Sequence, residues 1–253
     1  MVPQQAPPRT VFYHERILEV VGFVNASPIW DVAPQQFYSA PWLIPPGTVP
    51  ESSGAIERFQ GSQELMNPRS TARVYDRLEV RLTGPNAAVG SRLQVIRVAD
   101  ELLGVGQVVQ PTGILLVEET TPAGVIAVVE SQFDVVGIGD LVRPLPNFVP
   151  TPAATETVPI TGGVEATVIA YAADHPLQTF RDYAFLDAGA AQGVRIGDEY
   201  VAIIEDTPDF GRVEEGRFKV VSLLGDVATA RILGMKNPVF PPGVGLRPDR
   251  RVR

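Results

Sequence analysis

The sequence predicts a mainly β fold: two tandem, related small β-barrel domains preceded by an irregular, aromatic N-terminal segment. Three observations predict it. Glycine and proline number 23 and 24 among 253 residues, against an average combined share of roughly 12%, and such a density of turn formers and helix breakers argues against a helical bundle. Between these punctuation points lie short runs rich in Val, Ile and Leu, the signature of strands. The runs also occur twice in the same order, and similarity at a fixed offset reveals architecture that periodicity alone cannot. With 45% hydrophobic and 20% charged residues the chain has enough apolar material to build a core.

Residues 1–53 form the leader and aromatic arm. The start, Met1-Val-Pro-Gln-Gln-Ala-Pro-Pro-Arg9, lacks the basic and apolar regions of a signal peptide and reads as a flexible leader, so an exported form would be a processed one. Residues 11–24 are compatible with a strand or a short helix. Residues 31–46 allow one or two helical turns around Pro34–Ser39 before the prolines stop them. Both tryptophans and eight of the 19 aromatic residues fall within the first 60 positions.

The first barrel is expected over 54–146 and the second over 163–253, with a short tail and a Pro/Thr-rich linker at 147–162. Each copy opens with a glycine and a strand-like run, Gly54-Ala-Ile-Glu-Arg-Phe59 and Gly163-Val-Glu-Ala-Thr-Val-Ile-Ala170. A proline loop follows, Asn67-Pro68 against His175-Pro176. An aspartate then leads into alternating residues, Asp76 to Leu82 and Asp182 to Ala188. A glycine turn comes next, Ala88-Val-Gly-Ser91 against Arg195-Ile-Gly-Asp198, and the copies end on Gly139-Asp-Leu-Val-Arg-Pro144 and Gly243-Val-Gly-Leu-Arg-Pro248. Further strands are expected at 78–82, 92–98, 105–109, 113–119, 124–130 and 140–143, and at 183–187, 198–204, 212–214, 217–224, 226–233 and 244–247. Five or six short antiparallel strands in so few residues favour a closed barrel, which leaves no exposed sheet edge. In Phe218–Leu224, alternation places Phe218, Val220, Ser222 and Leu224 on one face and Lys219, Val221 and Leu223 on the other. Both faces are largely apolar, so the strand should be covered on both sides.

The residue types exclude more chemistry than they offer. The net charge is −8 and no basic patch stands out, which disfavours a nucleic-acid partner. Without cysteine there is no disulfide, thiolate nucleophile or Cys-ligated metal. No run approaches the length of a membrane span. His14 and His175 are the only histidines; they read as a packing or exposed residue and a turn residue, and offer neither a triad nor a metal site. The carboxylates Glu118-Glu119, Glu205-Asp206, Asp209 and Glu214-Glu215 sit beside turns, where solvated hairpin ends explain them better than a glycosidase pair. No cofactor site is expected. The aromatic cluster Trp30, Phe37, Tyr38 and Trp42 is the candidate interaction site, either packing the arm against a barrel or a neighbouring subunit, or stacking on sugar rings.

The phrases Asp182-Tyr-Ala-Phe-Leu-Asp-Ala-Gly189 and Gly193-Val-Arg-Ile-Gly-Asp198 resemble the region downstream of the LysM module in bacterial envelope proteins. They also look like the small C-terminal barrel of the flagellar-ring protein FlgT. The resemblance implies a barrel without an active site that works in assembly at the cell envelope or in the periplasm. Its partners would be other envelope proteins or copies of itself, with peptidoglycan as the alternative ligand. Two departures stand out. The chain contains no LysM module, so direct peptidoglycan binding does not carry over, and the first copy has Pro85-Asn-Ala-Ala-Val-Gly-Ser91 in place of the full glycine phrase.

Overall fold

The computed structural model describes residues 31–60, 71–84, 87–102, 104–150, 157–173, 177–180, 182–204, 213–236 and 240–252. In the first half the strands are β1 (Trp42–Ile44), β2 (Gly54–Phe59), β3 (Thr71–Ala72), β4 (Arg77–Leu82), β5 (Arg92–Leu102), β6 (Gly106–Thr121), β7 (Gly124–Gln132), β8 (Val136–Gly137) and β9 (Leu141–Pro144). The second half has β10 (Thr157–Pro159), β11 (Ala166–Tyr171), β12 (Tyr183–Leu186), β13 (Glu199–Ile204), β14 (Val213–Leu224), β15 (Val227–Met235) and β16 (Gly245–Val252). Each half closes a six-stranded antiparallel barrel. The first runs β6-β5-β9-β2-β4-β7 and returns to β6; the second runs β14-β13-β16-β11-β12-β15 and returns to β14.

The two orders are the same once the strands are matched, and the match extends to individual residue pairs. In the first barrel Leu93 faces Leu115, Val95 faces Gly113 and Ile96 faces Pro111. In the second Tyr200 faces Phe218, Ala202 faces Gly216 and Ile203 faces Glu214. Both ladders therefore carry a bulge at the same place, at Thr112 and at Glu215, each followed by a glycine. A Cβ on Gly113 would lie 2.7 Å from the Ser131 carbonyl oxygen. These bulges correct the expected split of 105–109 from 113–119 and of 212–214 from 217–224. Each pair is one continuous strand, because a bulge absorbs the turn-forming residue without ending the ladder. The opening glycines also do not correspond: Ile56 opposite Val80 matches Val168 opposite Leu186, which sets Gly54 against Ala166 rather than Gly163.

A second bulge, at Val221, changes which way the end of β14 faces. Val220 pairs with Ala230, Ser222 with Thr229 and Leu223 with Ala228. Alternation thus shifts by one residue, and Leu223 packs on the barrel core in the place expected for Ser222 and Leu224. The expectation that β14 is covered on both sides holds: Phe218 and Val220 fill the core, while Val221 is buried on the outer face against Val32 and Ala40.

The recurring aspartates have a common local reason. The backbone N–H of Arg195 donates to the Asp198 carboxylate at 2.9 Å while the Asp198 N–H donates to the Arg195 carbonyl at 3.1 Å. The same clamp joins Gly137 to Asp140, Arg73 to Asp76 and Thr179 to Asp182. The third residue of the turn has positive φ, +94° at Gly197 and +89° at Gly139, which favours glycine. Tyr75 occupies that position at φ +73°.

The cores fill the same space differently. Leu93, Leu115, Val95 and Val125 of the first barrel match Tyr200, Phe218, Ala202 and Ala228 of the second. At these positions large rings beside alanines replace medium aliphatics, the kind of exchange that conserves core volume. The helical turn expected around Pro34–Ser39 is present as a short helix α1 (Pro34–Tyr38), while two stretches expected to be irregular hold strands: β1 in the arm, and β10 in the stretch read as a linker, which pairs with β16.

Candidate functional site at the junction of the barrels

The arm lies between the barrels and is bound by both. Pro34 starts α1 with its φ already set for a helix, and the Ala33 N–H donates to the Gln36 side chain at 2.9 Å. Pro41 follows and prevents continuation. The chain then extends so that β1 pairs with β6, Trp42 opposite Val109 and Ile44 opposite Gln107. On the other side the Thr229 hydroxyl donates to the Pro41 carbonyl at 2.8 Å, fully buried, and Ser39 and Tyr183 share a hydroxyl hydrogen bond of 2.9 Å. Lys219 reaches the Asp31 carboxylate at 2.7 Å. The Asp31 carboxylate lies against the α-carbon of Gly197, where any side chain would collide with it. Val108 of β6 completes the junction in one apolar cluster with Ala170 and Phe185 of the second barrel.

Three of the four candidate aromatics come together here, and Trp30 lies outside the described residues. Phe37 stacks on Phe148 with ring centroids 4.2 Å apart, and Tyr38 stands edge-on to both. Trp42 is only 8% exposed, and the guanidinium carbon of Arg143 sits 4.1 Å from its ring centroid. Arg143 Nε donates to Gln94 Oε1 at 2.9 Å, and Gln94 Nε2 donates in turn to the Tyr38 carbonyl at 2.7 Å. Burial lowers the Arg143 pKa from its ordinary value. A cleft of about 200 Å³ opens beside this group, walled by Phe37, Trp42, Gln94, Arg143, Ser222 and Leu224. A larger surface groove of about 560 Å³ lies on the other side of α1, bounded by Gln35, Tyr38, Arg92, Glu130, Gln132 and Phe133.

Three of the turn carboxylates among the described residues, Glu118, Glu119 and Glu214, are engaged by cations. Arg77 bridges Glu118 at 2.8 Å and Glu119 at 2.7 Å, and Arg217 holds Glu214 at 3.0 Å. Glu205, Asp206, Asp209, His14 and His175 lie outside the described residues, as do the two proline loops. No cluster of three or more His, Cys, Asp or Glu that could hold a metal occurs among the described residues. No helix among them is long and apolar enough to cross a membrane.

Compared with protein-family models and with curated proteins, the chain matches none. The likeness to envelope barrels therefore rests on the short glycine and aspartate phrases, whose local role is the turn clamp described above.

Two features escaped the sequence. One is the buried ion network around Glu199, whose carboxylate takes Lys219 at 3.0 Å, Arg250 at 2.7 Å and Arg217 at 3.2 Å. Burial pushes the Glu199 carboxyl up, but these three cations outweigh it and hold the pKa below the usual carboxylate range. The other is the Gln94 and Arg143 pair. Arg143 stands in the Leu-Val-Arg-Pro phrase that matches Leu246-Arg-Pro248, so the position is visible as part of the repeat. Its partner is not, because only the pairing of β5 with β9 brings Gln94 opposite Arg143.

Proposed function

We propose that this protein is a non-enzymatic structural or interaction protein of the bacterial cell envelope, in which two fused barrels act as one rigid unit in protein–protein assembly. The observation that carries the reading is the use made of the reactive-looking side chains: the aromatic arm joins the barrels, and the turn carboxylates Glu118, Glu119 and Glu214 neutralise arginines. Apolar side chains also stand exposed before the corresponding strands of both copies, Val74 and Tyr75 ahead of β4, and Leu177 and Phe180 ahead of β12. Paired apolar tips of this kind suit a protein partner. The test is cell fractionation combined with light scattering of the purified chain and crosslinking in cells. Envelope localisation with a reproducible crosslink through residue 75 or 180 supports the proposal. A strictly monomeric, cytosolic protein without such a crosslink overturns it.

The groove beside Tyr38 favours a second reading, glycan or peptidoglycan binding. Planar polar groups from Gln35, Gln132, Arg92 and Glu130 beside Tyr38 and Phe133 are the residue types that hydrogen-bond and stack on sugars. Titration with muropeptides and chitooligosaccharides, read by chemical-shift changes around Tyr38, decides it, and a flat response removes it.

A further inference from the structure

We propose that the cleft between the barrels binds a carboxylate carried on a short aliphatic body, with Arg143 as its anchor. This inference does not depend on the envelope reading. Arg143 is half-buried, yet it has no carboxylate within salt-bridge distance, while Arg77, Arg92, Arg97, Arg217, Arg250 and Arg251 all have one. Its matched residue in the second barrel, Arg247, pairs with Glu165. Nothing pairs with Arg143 in this way among the described residues.

The guanidinium is held as a receptor would hold it. Trp42 supports its flat face and Gln94 takes its Nε. Gln94 is itself 2% exposed and fixed at its other end by the Tyr38 carbonyl. Neither terminal nitrogen has an acceptor among the described residues, and Arg143 lines the cleft. A planar, oriented fork with two free donors matches the two oxygens of a carboxylate. Burial has already stripped part of its water, as the lowered pKa indicates, so an arriving anion displaces little solvent.

The rest of the wall sets the ligand class. Ser222 adds one hydroxyl, and Phe37, Pro146, Leu223 and Leu224 are apolar. The volume of about 200 Å³ is below the ~300–1,000 Å³ of clefts that enclose drug-sized ligands. It has room for a terminal group with one aliphatic side chain. A dianionic phosphate would leave a second charge uncompensated, since Arg143 is the only cation lining the cleft among the described residues and Glu51 also lies near enough to act on it.

Such a carboxylate comes from a small acid or from the end of a polypeptide, and the test separates them. In W30F, Trp42 is the only tryptophan and reports directly on the cleft. Its emission is followed against N-acetyl-leucine, a hexapeptide ending in leucine, the C-terminal amide of each, and inorganic phosphate. Saturable changes with the acids and weakening of about tenfold or more for the amides support the site, as the loss of a charge-assisted hydrogen bond requires. Equal affinity for the two acids assigns a small acid, and clear preference for the hexapeptide assigns a polypeptide end. R143Q should abolish the response while the far-UV spectrum stays that of the parent. If R143Q alters the fold, L224E provides the second variant, placing a negative charge at the exposed rim. Indifference of binding to amidation, to R143Q or L224E, or equal competition by phosphate, overturns the proposal.

Discussion

The outer face formed by β11, β12, β14 and β15 in the second barrel has a twin in the first, on β2, β4, β6 and β7, and the two have opposite chemistry. In the first barrel Arg58 pairs with Glu79 at 2.6 Å, Arg77 with the bulged Glu118 at 2.8 Å, and Arg81 with Glu57. At the matching positions the second barrel has Ala170 and Phe185, then Tyr183 and the bulged Val221, with Ile169 in place of Glu57. Phe185 is fully buried and Val221 nearly so, under the arm and the first barrel. One backbone ladder thus serves a wet face and a dry one. Exposed ion pairs add little stability, about 0–1 kcal/mol each, so the charged face is an end left to solvent or to a polar partner, whereas the apolar face is the join.

Phe185→Glu copies the first barrel's residue onto the second barrel's join and should have the largest effect. A carboxylate buried without a partner should cost about 3–5 kcal/mol, seen as a lower urea midpoint and as faster proteolysis of the arm. The reverse exchange, Glu79→Phe, should change stability by no more than about 0.5 kcal/mol while promoting self-association on light scattering. If both variants behave alike, the contrast between the faces has no energetic meaning.

Thr229→Val removes the buried donor to the Pro41 carbonyl and should cost about 1–3 kcal/mol, again by urea titration. The matching residue in the first barrel is Ile126, where Ile126→Val should cost about 0.5–1.5 kcal/mol as an ordinary core truncation.

Acid should act on the second barrel through Glu199. Lys219, Arg250 and Arg217 hold the Glu199 pKa below its ordinary value against the opposing effect of burial. Folded Glu199 therefore binds a proton less readily than the unfolded chain does. The stability it contributes is present above the unfolded value of about 4.3 and is lost as pH falls through the lower folded pKa. Glu199→Gln should flatten that acid limb of the stability curve. Glu130 in the first barrel is lowered chiefly by its hydrogen bond to Arg92 and should behave in the same direction. An unchanged limb in E199Q would show that the network does not couple to folding.

The smallest effect is a gain. Tyr171 matches Phe59, is 7% exposed, and its hydroxyl has no hydrogen-bond partner among the described residues. Burial also raises its pKa strongly. Tyr171→Phe should leave stability unchanged or raise it by up to about 1 kcal/mol, and a clear loss in thermal unfolding would mean that the hydroxyl has a role in the native state.

Much of this was legible in the chain itself. Glycine, proline and aspartate mark turns whose conformation is local: the positive φ at Gly90, Gly139, Gly197 and Gly243 and the Asp140 and Asp198 clamps need only neighbours three residues away. The duplication is legible for the same reason, as is the helical turn at Pro34. What stayed hidden depends on register. The bulges at Thr112, Glu215, Val221 and Glu118 shift every later side chain to the opposite face, and nothing in the residue order alone separates a bulge from a strand end. That is why Ser222 and Leu223 exchange faces, while the match of Gly54 with Ala166 and the meeting of Gln94 with Arg143 come from strand pairing that residue order does not state. The aromatics of the arm were visible as a cluster, but their surroundings come from the opposite ends of the chain, Tyr183, Lys219 and Thr229.

The sequence alone therefore determined that this is a duplicated β-barrel protein with an aromatic arm, because strand propensity, turn chemistry and repetition are written in short stretches. Only the tertiary structure decided which barrel face stays wet and which is sealed, and that the arm binds the two barrels around an arginine with no carboxylate partner among the described residues. Those outcomes depend on strand pairing and on packing between residues more than a hundred positions apart, where burial and charge compensation act.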